Sequence, residues 1–138
     1  MLTFDAPSKQ FCNAETPDTD LPTALAAMSR MVDLHAAWLR NEFLAGTSPF
    51  EAASWPLKAL EASGFADSRQ AKSLAIEADA RGVSVESIVE RVLRNAQALG
   101  ALEAVIAGTA GKHRDALKEL KTADDVYGYD WRGGWPEV

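Results

Sequence analysis

The stretch from Val85 to Lys121 constrains the fold of this 138-residue chain more than any other. Apolar residues recur along it at alternating spacings of three and four, which is the spacing of residues on one side of an α-helix. Ser84 precedes the stretch as a suitable N-cap, and acidic residues in the first turn suit the positive end of the helix dipole. We therefore predict one long helix over residues 85–121. A break near Gly108 is the main risk, because each glycine there costs about 1 kcal/mol relative to alanine.

One side of this helix forms a heptad seam of the coiled-coil type, in which polar residues replace some of the apolar ones. The seam must be buried, either by other helices of the same chain or by copies of the chain in a parallel oligomer. In the second arrangement the amide of Asn95 would fix the register at a cost in stability. Both arrangements stay open, and the candidate oligomer seam consists of Val85, Ile88, Val92, Asn95, Leu99, Leu102, Ile106, His113 and Leu120.

Three more helices are predicted before the long one, and a short helical turn after it. Asp20 and Ser48 are suitable N-caps, and each is followed closely by a proline, which fits a first helical turn. Pro56 lies inside the second helix and predicts a kink there, and Gly82 ends the third. The predicted ranges are 21–45, 49–62 with the kink at Pro56, 68–81, and 123–127 for the turn.

The two ends of the chain lack the period of a helix. Residues 1–20 mix aromatic, proline and acidic residues and predict an extended or flexible arm, which leaves residues 21–138 as one helical domain. The segment after the last turn combines aromatic residues with glycines, which exclude a regular element. We predict an all-α fold: a helical hairpin or bundle built on the long C-terminal helix, with an extended N-terminal arm and an aromatic C-terminal tail.

The aromatic tail is the strongest candidate for a binding site. Tyrosine, tryptophan and arginine dominate the energetics of protein–protein interfaces, and the tail carries all three types. Two interpretations stay open: the tail packs on the chain's own helices as a latch, or it binds another protein. The candidate partner-binding residues are Tyr127, Tyr129, Trp131, Arg132, Trp135 and Pro136.

Composition narrows the possible partners. Twenty acidic residues stand against fourteen basic ones, a formal charge of −6, and no segment has the density of lysine and arginine that a nucleic-acid backbone requires. No apolar run approaches the roughly 20 residues of a membrane span, and the N-terminus does not resemble a signal peptide. We expect a soluble protein of the cytosol, with neither nucleic acid nor membrane as a partner.

No complete catalytic or metal-binding motif is found in the sequence. The segment from Gly108 to His113 resembles a phosphate-binding loop only in part, because the first glycine and the final serine or threonine of that motif are missing. Cys12 has no nearby histidine or pair of basic residues to activate it, and His35 has no second ligand at metal-binding spacing. We therefore expect no enzyme activity, no cofactor and no metal, with His35 as a satisfied residue at the edge of the core.

Four blocks of the sequence resemble small tail proteins of phages and prophages, over roughly residues 54–136. They are Ser54-Trp-Pro-Leu-Lys-Ala-Leu-Glu-Ala, Ala78-Asp-Ala-Arg-Gly-Val-Ser-Val-Glu-Ser, Gly111-Lys-His-Arg-Asp-Ala and Asp130-Trp-Arg-Gly-Gly-Trp-Pro. Proteins with this pattern are found with tail fibres or described as tail-fibre assembly factors. The resemblance implies a non-enzymatic protein that binds a tail-fibre or baseplate protein in the cytoplasm of the host bacterium, as an assembly chaperone or as a small component retained in the virion tail.

A second class of function stays open beside this one: a bacterial helical adaptor or regulator that binds a host protein. Residues 1–44 match no pattern of the tail proteins, so the resemblance implies nothing about their role.

Overall fold

The computed structural model describes residues 2–5, 10–13, 20–65 and 71–138, with the backbone alone for residues 2–5, 10–13 and 65. This part of the chain is mostly helical, which confirms the predicted all-α character in its coarse form. The helices are α1 (Leu21–Leu44), α2 (Pro49–Phe65), α3 (Lys72–Arg81), α4 (Val85–Lys118) and α5 (Ala123–Tyr127).

The described residues of the N-terminal arm form a pair of short strands. These are β1 (Leu2–Asp5) and β2 (Gln10–Asn13), which run antiparallel with Leu2 opposite Asn13. The sequence predicts only an extended or flexible arm. Each strand has four residues, which are too few for an alternating pattern to be distinguished from chance. Residues 1, 6–9 and 14–19 of the predicted arm lie outside the described residues.

Local capping residues mark several helix boundaries. The carboxylate of Asp20 accepts a hydrogen bond from the backbone N–H of Thr23 at the start of α1. The hydroxyls of Ser48 and Thr122 accept equivalent bonds at the starts of α2 and α5. Gly82 ends α3 in the left-handed conformation, with φ of 69°. Each of these residues satisfies backbone groups that a helix end leaves without partners.

Four boundaries differ from the predicted ranges. α1 ends at Leu44 instead of 45, where Ala45 is the C-cap. α2 remains helical through Pro56 and ends at residue 65 instead of 62, because a proline removes one backbone hydrogen bond without requiring a break. A bend at Pro56 stays a prediction. α4 continues through its glycines and ends at Lys118 instead of 121, where tighter bonds to the third preceding residue close the last turn. α3 is described from Lys72, and the predicted residues 68–70 lie outside the described ranges.

The chain divides into two compact units, where the sequence analysis predicted one helical domain. The terminal unit consists of Met1–Ala45 and Glu103–Val138, and the central unit consists of Gly46–Leu102. α4 therefore supplies residues to both units.

The core of the terminal unit is built on one side of α1. α5 lies against this helix, and buried residues of α4 and the aromatic tail complete the core. The buried residues of α1 are Ala24, Met28, Met31, Val32, His35, Ala36 and Leu39, and those of the remaining elements are Ile106, Ala110, His113, Leu117, Ala123, Val126 and Trp131.

Two ion pairs join α1 to the part of α4 in the terminal unit. Arg40 binds the carboxylate of Glu103 at 2.6 and 2.9 Å, and Arg114 binds Asp33 at 2.5 Å. The hydrogen bond from Arg40 lowers the pKa of Glu103. The earlier residue on α1, Asp33, pairs with the later residue on α4, Arg114. The helices therefore run antiparallel at these points. Exposed pairs of this kind contribute at most about 1 kcal/mol each, so they mainly fix the register.

The core of the central unit brings together α2, α3 and the first turns of α4. Its buried residues are Ala62, Ala71, Leu74, Ala78, Ile88 and Val89, with Val85, Val92 and Leu93 packed against them. Small alanine side chains from α2 and α3 allow the helices to approach closely.

Glu61 of α2 caps the start of α3 from another helix. Its carboxylate accepts hydrogen bonds from the hydroxyl and, at 3.3 Å, from the backbone N–H of Ser73. The residue at the N-cap position of α3 is Ala71, whose side chain has no acceptor, so the carboxylate replaces a local cap. The hydrogen bond from the Ser73 hydroxyl lowers the pKa of Glu61.

Replacing Glu61 with glutamine is expected to lower the free energy of unfolding by less than the roughly 1 kcal/mol of a whole helix cap at neutral pH, because the amide oxygen still accepts but the charge-assisted bonds are lost. Because folding lowers the pKa of this carboxyl, its contribution is complete above its ordinary pKa of about 4.3 and is lost as the pH falls through the folded value. Urea unfolding of both proteins between pH 7 and pH 3 measures this difference. The exposed change Glu90→Gln is the control, and a difference for Glu61→Gln that persists in acid would contradict the assignment.

Most of the predicted oligomer seam on α4 has partners within the chain. Ile88, Ile106 and His113 are buried, Asn95 is exposed, and the remaining seam residues, Val85, Val92, Leu99, Leu102 and Leu120, are half-buried. The first of the two arrangements considered from the sequence, burial within one chain, therefore accounts for the buried positions. Pairing of copies along this seam stays a prediction.

Candidate functional site: the aromatic tail

The aromatic tail, residues 127–138, begins at Tyr127, the last residue of α5, and has no regular element after that residue. Gly134 has a φ of 88°, a backbone conformation that L residues with side chains rarely adopt. Its carbonyl oxygen accepts a hydrogen bond from the hydroxyl of Thr109 at 3.2 Å. A Cβ atom at Gly134 would lie 3.5 Å from the methyl group of Thr109. The glycine is therefore required by its backbone angle more than by lack of space.

His113 holds the tail to α4 through both nitrogens of its ring. Nε2 lies 2.7 Å from the carbonyl oxygen of Gly133, and Nδ1 lies 2.8 Å from the hydroxyl oxygen of Tyr129. A carbonyl oxygen only accepts, so Nε2 donates to Gly133, and in that tautomer Nδ1 accepts from the hydroxyl of Tyr129. His113 is 5% exposed. With both nitrogens engaged, this side chain is a clamp for the tail.

The tyrosine at this clamp is kept in its protonated form. Burial raises the pKa of Tyr129, and the negative charge of Asp130 adds to the effect. At neutral pH the phenol therefore retains the hydrogen that it donates to His113.

Replacing His113 with phenylalanine is expected to lower the free energy of unfolding by about 1–3 kcal/mol, because a ring of similar size remains while the carbonyl of Gly133 and the hydroxyl of Tyr129 lose their partner. Thermal unfolding followed by circular dichroism measures the change. The neighbouring exposed residue provides the control, Lys112→Ala. Equal stability of His113→Phe and the wild-type chain would show that the clamp is not formed.

Two tryptophans anchor the tail to different extents. Trp131 is fully buried, with 0% of its surface exposed, whereas Trp135 is half-buried. The indole N–H of Trp135 donates to the carbonyl oxygen of Trp131 at 2.8 Å. Each large ring thus contributes apolar contacts, and the hydrogen bond from the indole of Trp135 to the backbone of Trp131 folds the tail back on itself.

His35 of α1 lies at the centre of an aromatic cluster that receives both tryptophans. Its ring centroid lies 5.4 Å from that of Trp131 and 4.8 Å from that of Trp135, the latter edge-on. Trp38, one turn further along α1, stacks on the ring of His35 at 5.6 Å. His113 approaches Trp135 at 5.6 Å. His35 is 2% exposed, so it is a core residue and not a residue at the edge of the core.

The structure places the predicted partner-binding residues in one segment with unequal access to solvent. Trp131 is buried and Arg132 is exposed, while the others, Tyr127, Tyr129, Trp135 and Pro136, are half-buried. Tail residues therefore make the intrachain contacts of a latch, and several of them keep a surface that another molecule can reach. Partner binding by these residues stays a prediction.

The residues that position the tail were not predicted as such from the sequence. His113 was predicted in the oligomer seam and His35 at the edge of the core. Thr109 and Gly134 carried no specific prediction as contacts of the tail. Each contacts a residue far along the chain, and spacing within one helix carries no signal for such a contact. The left-handed conformation of Gly134 is the one feature for which the paired glycines Gly133 and Gly134 offered a local hint.

The described ranges contain no group of three or more histidine, cysteine, aspartate or glutamate side chains arranged to hold a metal ion. None of the described helices is long and apolar enough to cross a membrane. Comparison with known proteins gives no match, since no family model, no curated protein and no solved structure resembles the chain significantly.

Proposed function

We propose that this protein is a non-enzymatic tail protein of a phage or prophage that binds a tail-fibre or baseplate protein. It acts in the cytoplasm of the host bacterium as an assembly chaperone or as a small structural component of the tail. The proposal rests on how the aromatic tail is attached to the helices. The buried Trp131 and the clamp at His113 hold this segment in place, and its outer side chains remain accessible to another protein.

The composition and the fixed position of this segment support a binding role. Tyrosine, tryptophan and arginine side chains are the commonest sources of interface binding energy. A segment already held in one conformation loses less entropy on binding than a flexible one. The accessible side chains of Tyr127, Arg132 and Trp135 have this composition and are attached to such a segment.

The four sequence blocks that carry the resemblance to phage tail proteins also contact one another in pairs. The block that begins at Gly111 meets the block that begins at Asp130 through the bond from His113 to Gly133. The other two blocks supply Ala62 and Ala78 to the core of the central unit. This pairing within each unit supports interpreting the blocks as packing signatures.

A pull-down with the full-length chain tests the proposal. Tagged wild-type protein is incubated with a lysate of phage-producing bacteria, and bound proteins are identified by mass spectrometry. We expect tail-fibre or baseplate proteins, with at least about a tenfold loss of capture for the double variant Tyr127→Ala with Arg132→Ala, equivalent to about 1.4 kcal/mol.

The matched control for this experiment is Arg94→Ala, which removes an exposed arginine in the central unit. It is expected to capture as much tail protein as the wild type. Recovery of host regulators without any tail protein would reject the proposal and favour the adaptor class. Equal capture by the double variant would place the binding surface outside the aromatic tail.

A further inference from the structure

α2 and α3 form a two-helix layer in the central unit, with one side toward the core. Lys58 pairs with Glu77 at 2.9 Å, and Glu61 bonds to Ser73. The order of these contacts shows that the two helices run antiparallel. Ala62 of α2 and Leu74 and Ala78 of α3 lie in the core of the unit.

The other side of this layer is apolar and exposed. Leu57 is 56% exposed and Leu60 is 61% exposed, and Ile76 on α3 is 72% exposed. At about 100° per residue, Leu57 and Leu60 lie away from Ala62, and Ile76 lies opposite Leu74. We call Leu57, Leu60 and Ile76 the outer face. Large apolar side chains grouped on a surface mark an interaction site.

Phe50 extends the outer face along α2, and two opposite charges border it on α3. Phe50 is 91% exposed, at a spacing of seven residues from Leu57. Lys72 and Asp79 are exposed and flank Ile76 on the side away from α2. The charged residues between the two helices are already paired within the chain, since Glu77 binds both Lys58 and Arg81.

We propose that a second copy of the chain covers the outer face, with α2 against α2 and α3 against α3 in antiparallel pairs. In a two-fold interface, each contact between residues i and j occurs twice with the copies exchanged. The outer face fits this rule. In antiparallel pairs of copies, the leucines of α2 lie opposite leucines, and the charges of α3 lie opposite charges of the other sign.

On α3, antiparallel pairing about the midpoint of Lys72 and Asp79 places each lysine opposite the aspartate of the other copy. That midpoint falls between residues 75 and 76, beside Ile76. On α2, pairing about the midpoint of Leu57 and Leu60 places each leucine opposite the other leucine. This second midpoint falls between residues 58 and 59.

One two-fold axis serves both helices. The contacts of Lys58 with Glu77 and of Glu61 with Ser73 set the register within one chain. In that register, the midpoint between residues 58 and 59 lies beside residues 75 to 77. The axis required by the leucines of α2 therefore coincides with the axis required by the charges of α3. A second copy of the chain thus makes both sets of contacts at once.

The net charge of the central unit also favours a second copy of the chain at the outer face. The central unit, residues 46–102, has six basic and seven acidic residues, a formal charge of −1. The rest of the chain has eight basic and thirteen acidic residues, a formal charge of −5. Copies that meet through the central unit thus bring together the part of the chain with the least mutual repulsion. This pairing surface differs from the seam on α4, where Ile88 is part of the chain's own core.

Sedimentation velocity of the full-length chain over a range of micromolar concentrations tests the proposal. The wild type is expected to sediment as a dimer. Leu57→Glu is expected to raise the dimer dissociation constant at least about tenfold, because a two-fold interface buries the new charge twice. Val105→Glu is the matched control, since Val105 is 47% exposed but lies on α4 in the terminal unit.

Charge exchange tests the predicted register independently of the apolar contacts. Lys72→Glu and Asp79→Lys should each weaken the dimer, because each places like charges opposite one another. The double variant Lys72→Glu with Asp79→Lys should restore the wild-type dissociation constant. Both single changes suit the helix dipole of α3, so they do not weaken the helix itself.

Circular dichroism establishes that each variant is folded, and Phe50→Ser replaces Leu57→Glu if the latter loses helicity. A wild-type chain that remains monomeric at the highest concentration would overturn the proposal. Loss of the dimer in Val105→Glu but not in Leu57→Glu would also overturn it, as would single charge variants that dimerise as tightly as the wild type.

Discussion

Replacing Trp131 with alanine is expected to lower the free energy of unfolding by about 3–5 kcal/mol, the usual effect of removing a large buried aromatic ring. Trp131 is completely buried, so the change removes its contacts and leaves a cavity. A loss of this size is a large share of the roughly 5–15 kcal/mol that stabilises an ordinary domain. Urea unfolding of the full-length chain, followed by far-ultraviolet circular dichroism, measures it.

Trp135→Ala is the matched control for this experiment, because it removes the same side chain from a half-buried position in the same tail. Its effect should be clearly smaller than that of Trp131→Ala. Equal losses would show that the two rings are buried alike. No loss in either variant would show that the tail is not packed against the helices at all.

Replacing Leu74 with alanine is expected to destabilise the central unit by about 2–5 kcal/mol. Leu74 is 0% exposed and lies in the cluster formed by α2, α3 and α4. The chain has two compact units that can unfold in separate steps, so a single global transition is not assumed. Hydrogen exchange of the backbone amides in α3 and in the first turns of α4 measures the effect where it occurs.

Ile76→Ala provides the control on the same helix, two residues further along. Ile76 is 72% exposed, so its truncation should leave hydrogen exchange of the monomer nearly unchanged while weakening the proposed dimer. If Leu74→Ala exchanged no faster than wild type, the assigned core of the central unit would be incorrect.

The helices could be predicted from the sequence because their signals are local. Each signal acts over only a few residues of the chain. Examples are the cap Asp20, the left-handed Gly82 and the apolar spacing of three and four along α4. The all-α character follows from these signals. The ends of α2 and α4 were missed by three residues each, because fraying and tight final turns depend on contacts that no local pattern contains.

The contacts that build the candidate site could not be predicted in this way. His113 and Gly133 are separated by 20 residues in the chain, and Glu61 and Ser73 by 12. Nothing in the spacing distinguishes Trp131, which is fully buried, from Trp135, which is not. The sequence supported both a latch and a binding surface for the tail. The observed packing accounts for the latch, whereas partner binding is a proposal.

The position of Trp135 also makes the docked tail visible to nuclear magnetic resonance. Its indole ring lies 4.8 Å from the ring of His35 and 5.6 Å from that of His113. A circulating π-electron current in a neighbouring ring displaces proton resonances over distances of this size. The ring protons of both histidines should therefore have displaced resonances while the tail is docked. The part of the displacement that Trp135 causes should disappear when the tail is released, whereas the contribution of Trp38 to His35 should remain. The only two histidines of the chain thus act as reporters beside one tryptophan.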